Sequence, residues 1–245
     1  MILTVLVGNT NTRLVWFNGR RLARFLILPT PVLGRGRLPK TGRIAGAAVA
    51  SVVPEVTNVV VERLRRNGGL EPLVVGPRTR TGLRFNYRRA DLGADRVCVG
   101  VGAACSLPGR DVIVFDFGTA TTVNVILRER VFAGGAILPG IQMSFDCLAA
   151  GIARLPGVTP GRRLGPVQRS TRTALQAGVS ALFAGGIDHI VRQVEHDLRR
   201  RFLVAATGGA AGVARRYGRK IRSVRPHLAS EGLGEIWRRN NLRSE

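Results

Sequence analysis

The sequence predicts a two-lobed α/β fold with a working cleft between the lobes, and three observations predict it. Apolar, β-prone runs alternate with helical patterns along the chain. A strand–turn–strand–turn–strand unit at the start is repeated after a break at Pro108-Gly109. The matching segments are Val7-Gly8-Asn9-Thr10-Asn11-Thr12 and Phe117-Gly118-Thr119-Ala120-Thr121-Thr122, with glycines 118 − 8 = 110 positions apart. Finally, 245 residues with a 45% apolar fraction can bury one large core or two small ones. The break places the expected lobes at residues 1–108 and 109–245.

Each element follows in order. Ile2–Val7 and Leu14–Phe17 read as strands around the first turn, Asn18-Gly19 as a tight hairpin turn, and Leu22–Leu28 as a third strand. Ala47–Val53 is a further strand. Pro54 then opens a helix through Val56, Val60 and Leu64 that stops at Gly68-Gly69. Leu73–Val75 is a short buried strand, and a helix from near Leu92 carries Val97, Val101 and Ala104 on one side. In the second half, Val112–Phe117, Val123–Leu127 and Val131–Ile137 repeat the three-strand unit. Helices from Ile141 and from Ser170 to about Arg200, strand Phe202–Ala206, and Thr207-Gly208-Gly209 leading into another helix complete the pattern.

Composition narrows the function classes. There is no unbroken apolar run of about 18 residues, and the first residues read as a strand, so a cytoplasmic protein without membrane spans is expected. Cys98, Cys105 and Cys147 match no CxxC spacing, and His189, His196 and His227 are scattered, so no His/Cys metal site is expected. The formal charge is +23, with 38 Lys and Arg against 15 Asp and Glu. Such a surface attracts polyanions, nucleotides and nucleic acid among them. The basic clusters are short and aromatics make up 5%, so nucleic acid is a possible partner and not the favoured one.

Glycine followed by Thr or Asn is a turn that phosphate oxygens can approach closely, through backbone N–H groups and hydroxyls. Two such turns, around Gly8 and Gly118, are expected to point into the cleft and clamp the phosphates of a nucleotide as the lobes close.

The blocks Gly8-Asn9-Thr10, Gly76-Pro77 with Thr81-Gly82, Gly93-Ala94-Asp95-Arg96, Asp116-Phe117-Gly118-Thr119-Ala120-Thr121-Thr122, Gly134-Gly135 with Pro139-Gly140, Ser170-Thr171 with Gln176-Ala177-Gly178, and Thr207-Gly208-Gly209 occur in this order. Together they resemble the type III pantothenate kinase family of the actin-like sugar-kinase superfamily. The resemblance spans nearly the whole chain. It implies duplicated ribonuclease H-like (actin-like ATPase) lobes and transfer of the ATP γ-phosphate to the primary hydroxyl of pantothenate, a step toward coenzyme A. It also implies Mg²⁺, a monovalent cation (K⁺ or NH₄⁺) and a homodimer.

The same resemblance, carried residue by residue, assigns roles. Asp95 is the expected catalytic base, at the start of a helix where a carboxylate can accept the proton of an attacking alcohol. Arg96, with Gly93 and Tyr87, is expected to line pantothenate; Arg96 either pairs with its carboxylate or orders Asp95. Asp116 is the expected metal ligand, since an unpaired carboxylate at the end of a buried strand is costly. Gly8, Asn9, Thr10, Gly118, Thr119 and Thr121 are assigned to phosphate, and Gly208 and Gly209 to the ATP site. Thr171 either contacts substrate across the dimer or caps its long helix.

Several positions depart from the family pattern. Leu6 stands where the first motif carries Asp, Val99 where Asn follows GADR, Arg78 where a loop carries glycine, and Asn124 where Asp is usual; Gln168 and Ser170 replace Gly and Asn before Thr171. Leucine binds no metal, so losing that carboxylate is expected to cost several kcal/mol of transition-state stabilisation, about tenfold in rate per 1.36 kcal/mol. A second function therefore stays open at this stage. It is a catalytically weak relative that regulates by binding nucleic acid, like the family's Bvg accessory factor branch.

Overall fold

The computed structural model describes residues 1–35, 38–152 and 155–241. The chain divides into two compact units. Unit 1 comprises Met1–Pro108, Arg130–Phe132 and Leu228–Glu245; unit 2 comprises Gly109–Glu129 and Ala133–His227.

Unit 1 begins with β1 (Ile2–Val7), β2 (Asn11–Asn18) and β3 (Arg21–Pro29), an antiparallel meander. The two-residue loop between β2 and β3 is Gly19-Arg20, with Gly19 at φ 59°, one position later than Asn18-Gly19. A short helix α1 (Thr30–Gly34) follows, then β4 (Gly46–Ser51), which runs parallel to β1. Helix α2 (Pro54–Gly68) leads to β5 (Leu73–Val74), giving the sheet order β3-β2-β1-β4-β5. Pro54 occupies the first turn of α2, Arg65 and Arg66 its last, and Gly69 closes it in the left-handed region at φ 59°.

β1 lies between two strands and is covered on both faces, which explains a β-branched, apolar sequence with little alternation. Its residues Leu3, Val5 and Val7 join Leu14, Trp16, Ala47 and Val49 in a core closed by Val56, Val60 and Leu64 of α2. On the opposite face Ile2, Val15 and Phe17 pack against Trp237. Strand β6 (Arg84–Phe85) pairs in parallel with Val131 and Phe132, and helix α3 (Ala94–Ser106) packs on β4.

Unit 2 repeats the meander with β7 (Val112–Phe117), β8 (Ala120–Leu127) and β9 (Val131–Pro139, whose first two residues count with unit 1). Helix α4 (Ile141–Gly151), the 28-residue helix α5 (Thr171–Leu198), β10 (Leu203–Thr207), helix α6 (Ala211–Tyr217) and β11 (Ser223–Val224) complete it. Within the unit the strands run β11-β10-β7-β8-β9. Ile113, Phe115 and Phe117 of β7 meet Val179, Phe183, Ile187 and Val191 of α5 in the core. α5 is long and apolar enough, by length and composition, to cross a membrane. Gln176, Asp188 and His189 interrupt its apolar run, and its apolar side is spent on this core. Asp111 ties the sheet's lower end together, accepting from the Arg128 amide at 2.9 Å and from Arg200 Nη1 at 3.1 Å.

Helix α7 (Leu228–Asn241) ends the described chain in unit 1, packed on α3 and β1. Its buried Glu235 holds Arg238 at 3.1 Å, Arg239 at 3.1 Å and Arg20 at 3.5 Å.

The duplication expected from the sequence is present in detail. β1 and β7 each have six residues, all buried except the fifth, which is half-buried: Leu6 in one, Asp116 in the other. β2 and β8 share the same burial sequence over their first seven residues, and β3 and β9 are both nine residues ending in proline, followed by Thr30 or Gly140. The register corrects the sequence match by one residue. Val7 pairs with Thr12 and Phe117 with Thr121, so Thr12 corresponds to Thr121, and the first turn is one residue longer.

Candidate functional site

In unit 1 the Gly8-Asn9-Thr10 turn leaves the C-terminal end of β1, the side of an α/β sheet where ligands gather. The Gly8 amide donates to Asn11 O at 3.1 Å, so that N–H closes the turn and is not offered to a ligand. Asn9 and Thr10 are exposed. Thr30, buried at the start of α1, locks the turn from behind. Its amide donates to Thr10 O at 2.9 Å and its hydroxyl to Gly8 O at 2.7 Å. With that proton committed, the Thr12 hydroxyl donates to Thr30 Oγ1 at 3.0 Å.

Asp95 lies on the same edge. The Val52 amide donates to Val7 O at 3.1 Å, and the Val52 side chain lies next to Gly93, which caps α3. Asp95 sits in the first turn of α3, where the helix dipole favours a carboxylate. Its Oδ1 accepts from the Arg96 amide at 2.8 Å and packs over the Gly93 α-carbon. Oδ2 makes no hydrogen bond within the described residues. The charge is felt one turn on: burial drives the Cys98 thiol far above its usual range, and Asp95 adds to the shift.

Arg96 is buried, its guanidinium 5.5 Å from the ring centres of both Tyr87 and Phe132, and those two rings meet edge-on at 6.1 Å. Tyr87, Gly93, Asp95 and Arg96 are thus brought together in unit 1. Nearby, Arg89 donates to Gly76 O at 3.1 Å over the Phe85 ring; burial lowers its pKa.

Unit 2 assembles the other group. Asp116 pairs in register with Thr207 of β10, and the Ala210 amide donates to Phe117 O at 3.1 Å. This turns Gly208-Gly209 back onto the end of β7. Gly208 has φ 88°, and a side chain there would overlap Asp116 Oδ1 and Phe117 O, so only glycine fits. The Gly118 amide donates to Ala120 O at 3.1 Å, as Gly8 does in unit 1, and Gly118 and Thr119 are exposed. Gly140 presses against the carbonyls of Gly118 and Thr119, where a Cβ would overlap. Asp116, Gly118, Thr119, Gly208 and Gly209 therefore lie together. Thr121 is 1% exposed, with its hydroxyl buried and no hydrogen-bond partner among the described residues.

Thr171 stands exposed at the head of α5, and the cap is its neighbour: Ser170 Oγ accepts from the Thr173 amide at 3.3 Å. Among the described residues no group of three or more His, Cys, Asp or Glu side chains gathers as a metal cluster. Asp116 still suits a hard cation of the Mg²⁺ kind, which is commonly held by one or two carboxylates, water and phosphate oxygens. One turn-bracing position escapes a reading of the motifs alone, Thr30, whereas Gly140 lies in the Pro139-Gly140 block. The signal was available, since Pro29-Thr30 and Pro139-Gly140 share the 110-residue spacing of the glycines.

Comparison with known proteins gives the family. The family described as type III pantothenate kinase matches residues 2–193. A protein of that name from Moorella thermoacetica is 36% identical over 256 residues, covering 98% of this chain and 100% of its own. One from an Anaeromyxobacter species is 34% identical with the same coverage. Among solved structures, a conserved Baf family transcriptional activator protein from Campylobacter jejuni superposes with a TM-score of 0.66 at 19% identity, over 97% of this chain and 98% of its own.

Proposed function

Because the chain belongs to the type III pantothenate kinase family, we propose that it uses ATP to phosphorylate the primary hydroxyl of pantothenate. The observation that carries the mechanism is Asp95, held by the Arg96 amide at the head of α3, beside the strand ends that launch the Gly8 turn. Asp95 Oδ2 accepts the hydroxyl proton as the alcohol oxygen bonds to the γ-phosphorus; the bond from that phosphorus to the β,γ-bridging oxygen breaks, and ADP leaves. In unit 2 Gly118, Thr119 and the Gly208-Gly209 turn suit a nucleotide, and in unit 1 Gly8, Asn9 and Thr10 suit phosphate oxygens. Gly93, Tyr87 and Arg96 line pantothenate. In its aromatic clamp Arg96 is a desolvated cation suited to the substrate carboxylate.

Asp116 would hold Mg²⁺, an ion that would supply charge neutralisation to the transferring phosphoryl group. Thr121, assigned to phosphate from the sequence, has its hydroxyl buried within unit 2 and takes no part in this reading. A monovalent cation, K⁺ or NH₄⁺, and a cytoplasmic setting come with the family. Homodimer formation is supported by apolar side chains left exposed in unit 2: Ile137, Met143, Leu148, Ile152 and Leu182. Thr171 contacts substrate bound to the partner subunit. The regulatory, nucleic-acid-binding alternative is less well supported, since the relatives that match over the full length carry the kinase name.

A coupled assay with ATP and pantothenate tests this. Wild type turns over, and Asp95→Asn loses about 10²- to 10⁴-fold in kcat. Asp95→Asn as fast as wild type removes the base assignment, and an inert wild type removes the activity.

A further inference from the structure

The two phosphate turns are built alike but charged oppositely. Leu6 and Asp116 hold the same place, fifth in a six-residue strand and half-buried. Directly across the ladder, Leu6 faces Arg13 where Asp116 faces Thr122. Opposed residues of an antiparallel pair share a sheet face, so the formal charge of the pair is +1 in unit 1 and −1 in unit 2. Arg13 is half-buried and one register step from the Val7–Thr12 pair that closes the turn. It shares its face with Ile2 and Val15, which pack toward the Trp237 side, opposite the α2 core. Residues 1–54 contain eight Lys or Arg and no Asp or Glu, so no carboxylate of the meander can serve a metal at this turn. Asp95, on the same strand edge, has one of its oxygens committed to the Arg96 amide.

We infer that the Gly8-Asn9-Thr10 turn is a metal-free phosphate site, with Arg13 supplying the positive charge that a carboxylate-held cation would otherwise bring. A guanidinium is permanently charged, is more weakly hydrated than an ammonium, and matches phosphate oxygens with two parallel donors. The exposed Asn9 and Thr10 add polar contacts, and Thr30 keeps the turn rigid. Leu6 fits this arrangement because a carboxylate in its place would sit opposite Arg13 and neutralise it. Divalent metal is then confined to the Asp116 side. The inference rests on the kinase reading for the identity of the anion, a nucleoside triphosphate.

The test is calorimetric titration of ATP into the full chain, in EDTA and in Mg²⁺, each variant first shown to melt cooperatively. Wild type binds ATP in EDTA. Arg13→Leu weakens that binding about tenfold or more, Arg13→Lys retains most of it, and Leu6→Asp weakens it in EDTA and regains affinity with Mg²⁺. ATP binding in EDTA that is unchanged in Arg13→Leu, or strengthened in Leu6→Asp, overturns the metal-free site while leaving the kinase reading intact. No ATP binding by wild type in either buffer overturns both.

Discussion

Unit 1 and unit 2 build the same meander, then diverge behind the turn. In unit 1 the residue after the third strand is Thr30, whose amide braces Thr10 and whose hydroxyl braces Gly8 and receives the Thr12 hydroxyl. In unit 2 the same place is Gly140, pressed against the carbonyls of Gly118 and Thr119, and the hydroxyl equivalent to Thr12, that of Thr121, is buried without a partner among the described residues. At the strand end the carboxylate also differs, Leu6 in one and Asp116 in the other. One backbone plan thus carries a side-chain-braced turn with a cation beside it and a backbone-braced turn with a carboxylate beside it. The lesson is that duplicated scaffolds keep burial and register while the polar positions at the strand ends diverge, because only the former are demanded by packing.

Copying unit 1 into unit 2 breaks the comparison most severely. Asp116→Leu removes the carboxylate proposed to hold Mg²⁺, and kcat is expected to fall about 10²- to 10³-fold or more, on the scale of losing one preorganised electrostatic contact. Melting temperature within a few degrees of wild type shows that the loss is chemical. Retained activity would mean that the carboxylate difference between the units is incidental.

Gly140→Thr installs the Thr30 side chain where its Cβ overlaps the Thr119 carbonyl. The turn must shift, at about 1–3 kcal/mol for overpacking, and ATP affinity falls with it; denaturant melts and titration read both. If Gly140→Thr is instead stabilising, the Thr121 hydroxyl has gained the partner that Thr12 has, and the closeness of Gly140 is not a constraint. The converse, Thr30→Val, keeps the shape but deletes the hydroxyl. It strands Gly8 O and the Thr12 hydroxyl and costs about 1–3 kcal/mol, with the expected loss in unit 1 alone.

Much of this was legible in the sequence because the strongest signals are local. Gly8 and Gly118, the apolar runs of β1 and β7, and the Pro54-to-Gly69 bounds of α2 each follow from one residue's backbone preference or a short periodicity. The motif blocks around Asp95 and Asp116 carried the family as well. Less legible was whatever depends on partners distant in sequence. α7 carries Gly232 and Gly234, poor helix formers, and is held by burial against α3, so its pattern alone is weak. β6 and β11 are two-residue strands defined by their neighbours, not by their own sequence. The one-residue difference in turn length was hidden because Thr121 and Thr122 are both threonine, and either aligns with Thr12.

The smallest expected effect separates two adjacent residues at the head of α5. Ser170 makes the cap hydrogen bond to the Thr173 amide, whereas Thr171 is exposed and makes no such bond. Ser170→Ala should therefore cost about 1 kcal/mol of stability, and Thr171→Ala only a few tenths, as for ordinary surface positions. In kinetics the order reverses if Thr171 meets pantothenate: its substitution raises KM for pantothenate at unchanged stability, while Ser170→Ala shifts the melt and leaves KM near wild type. Equal stability losses from the two variants would make both cap residues, and a KM for pantothenate indifferent to Thr171→Ala would remove Thr171 from the substrate site.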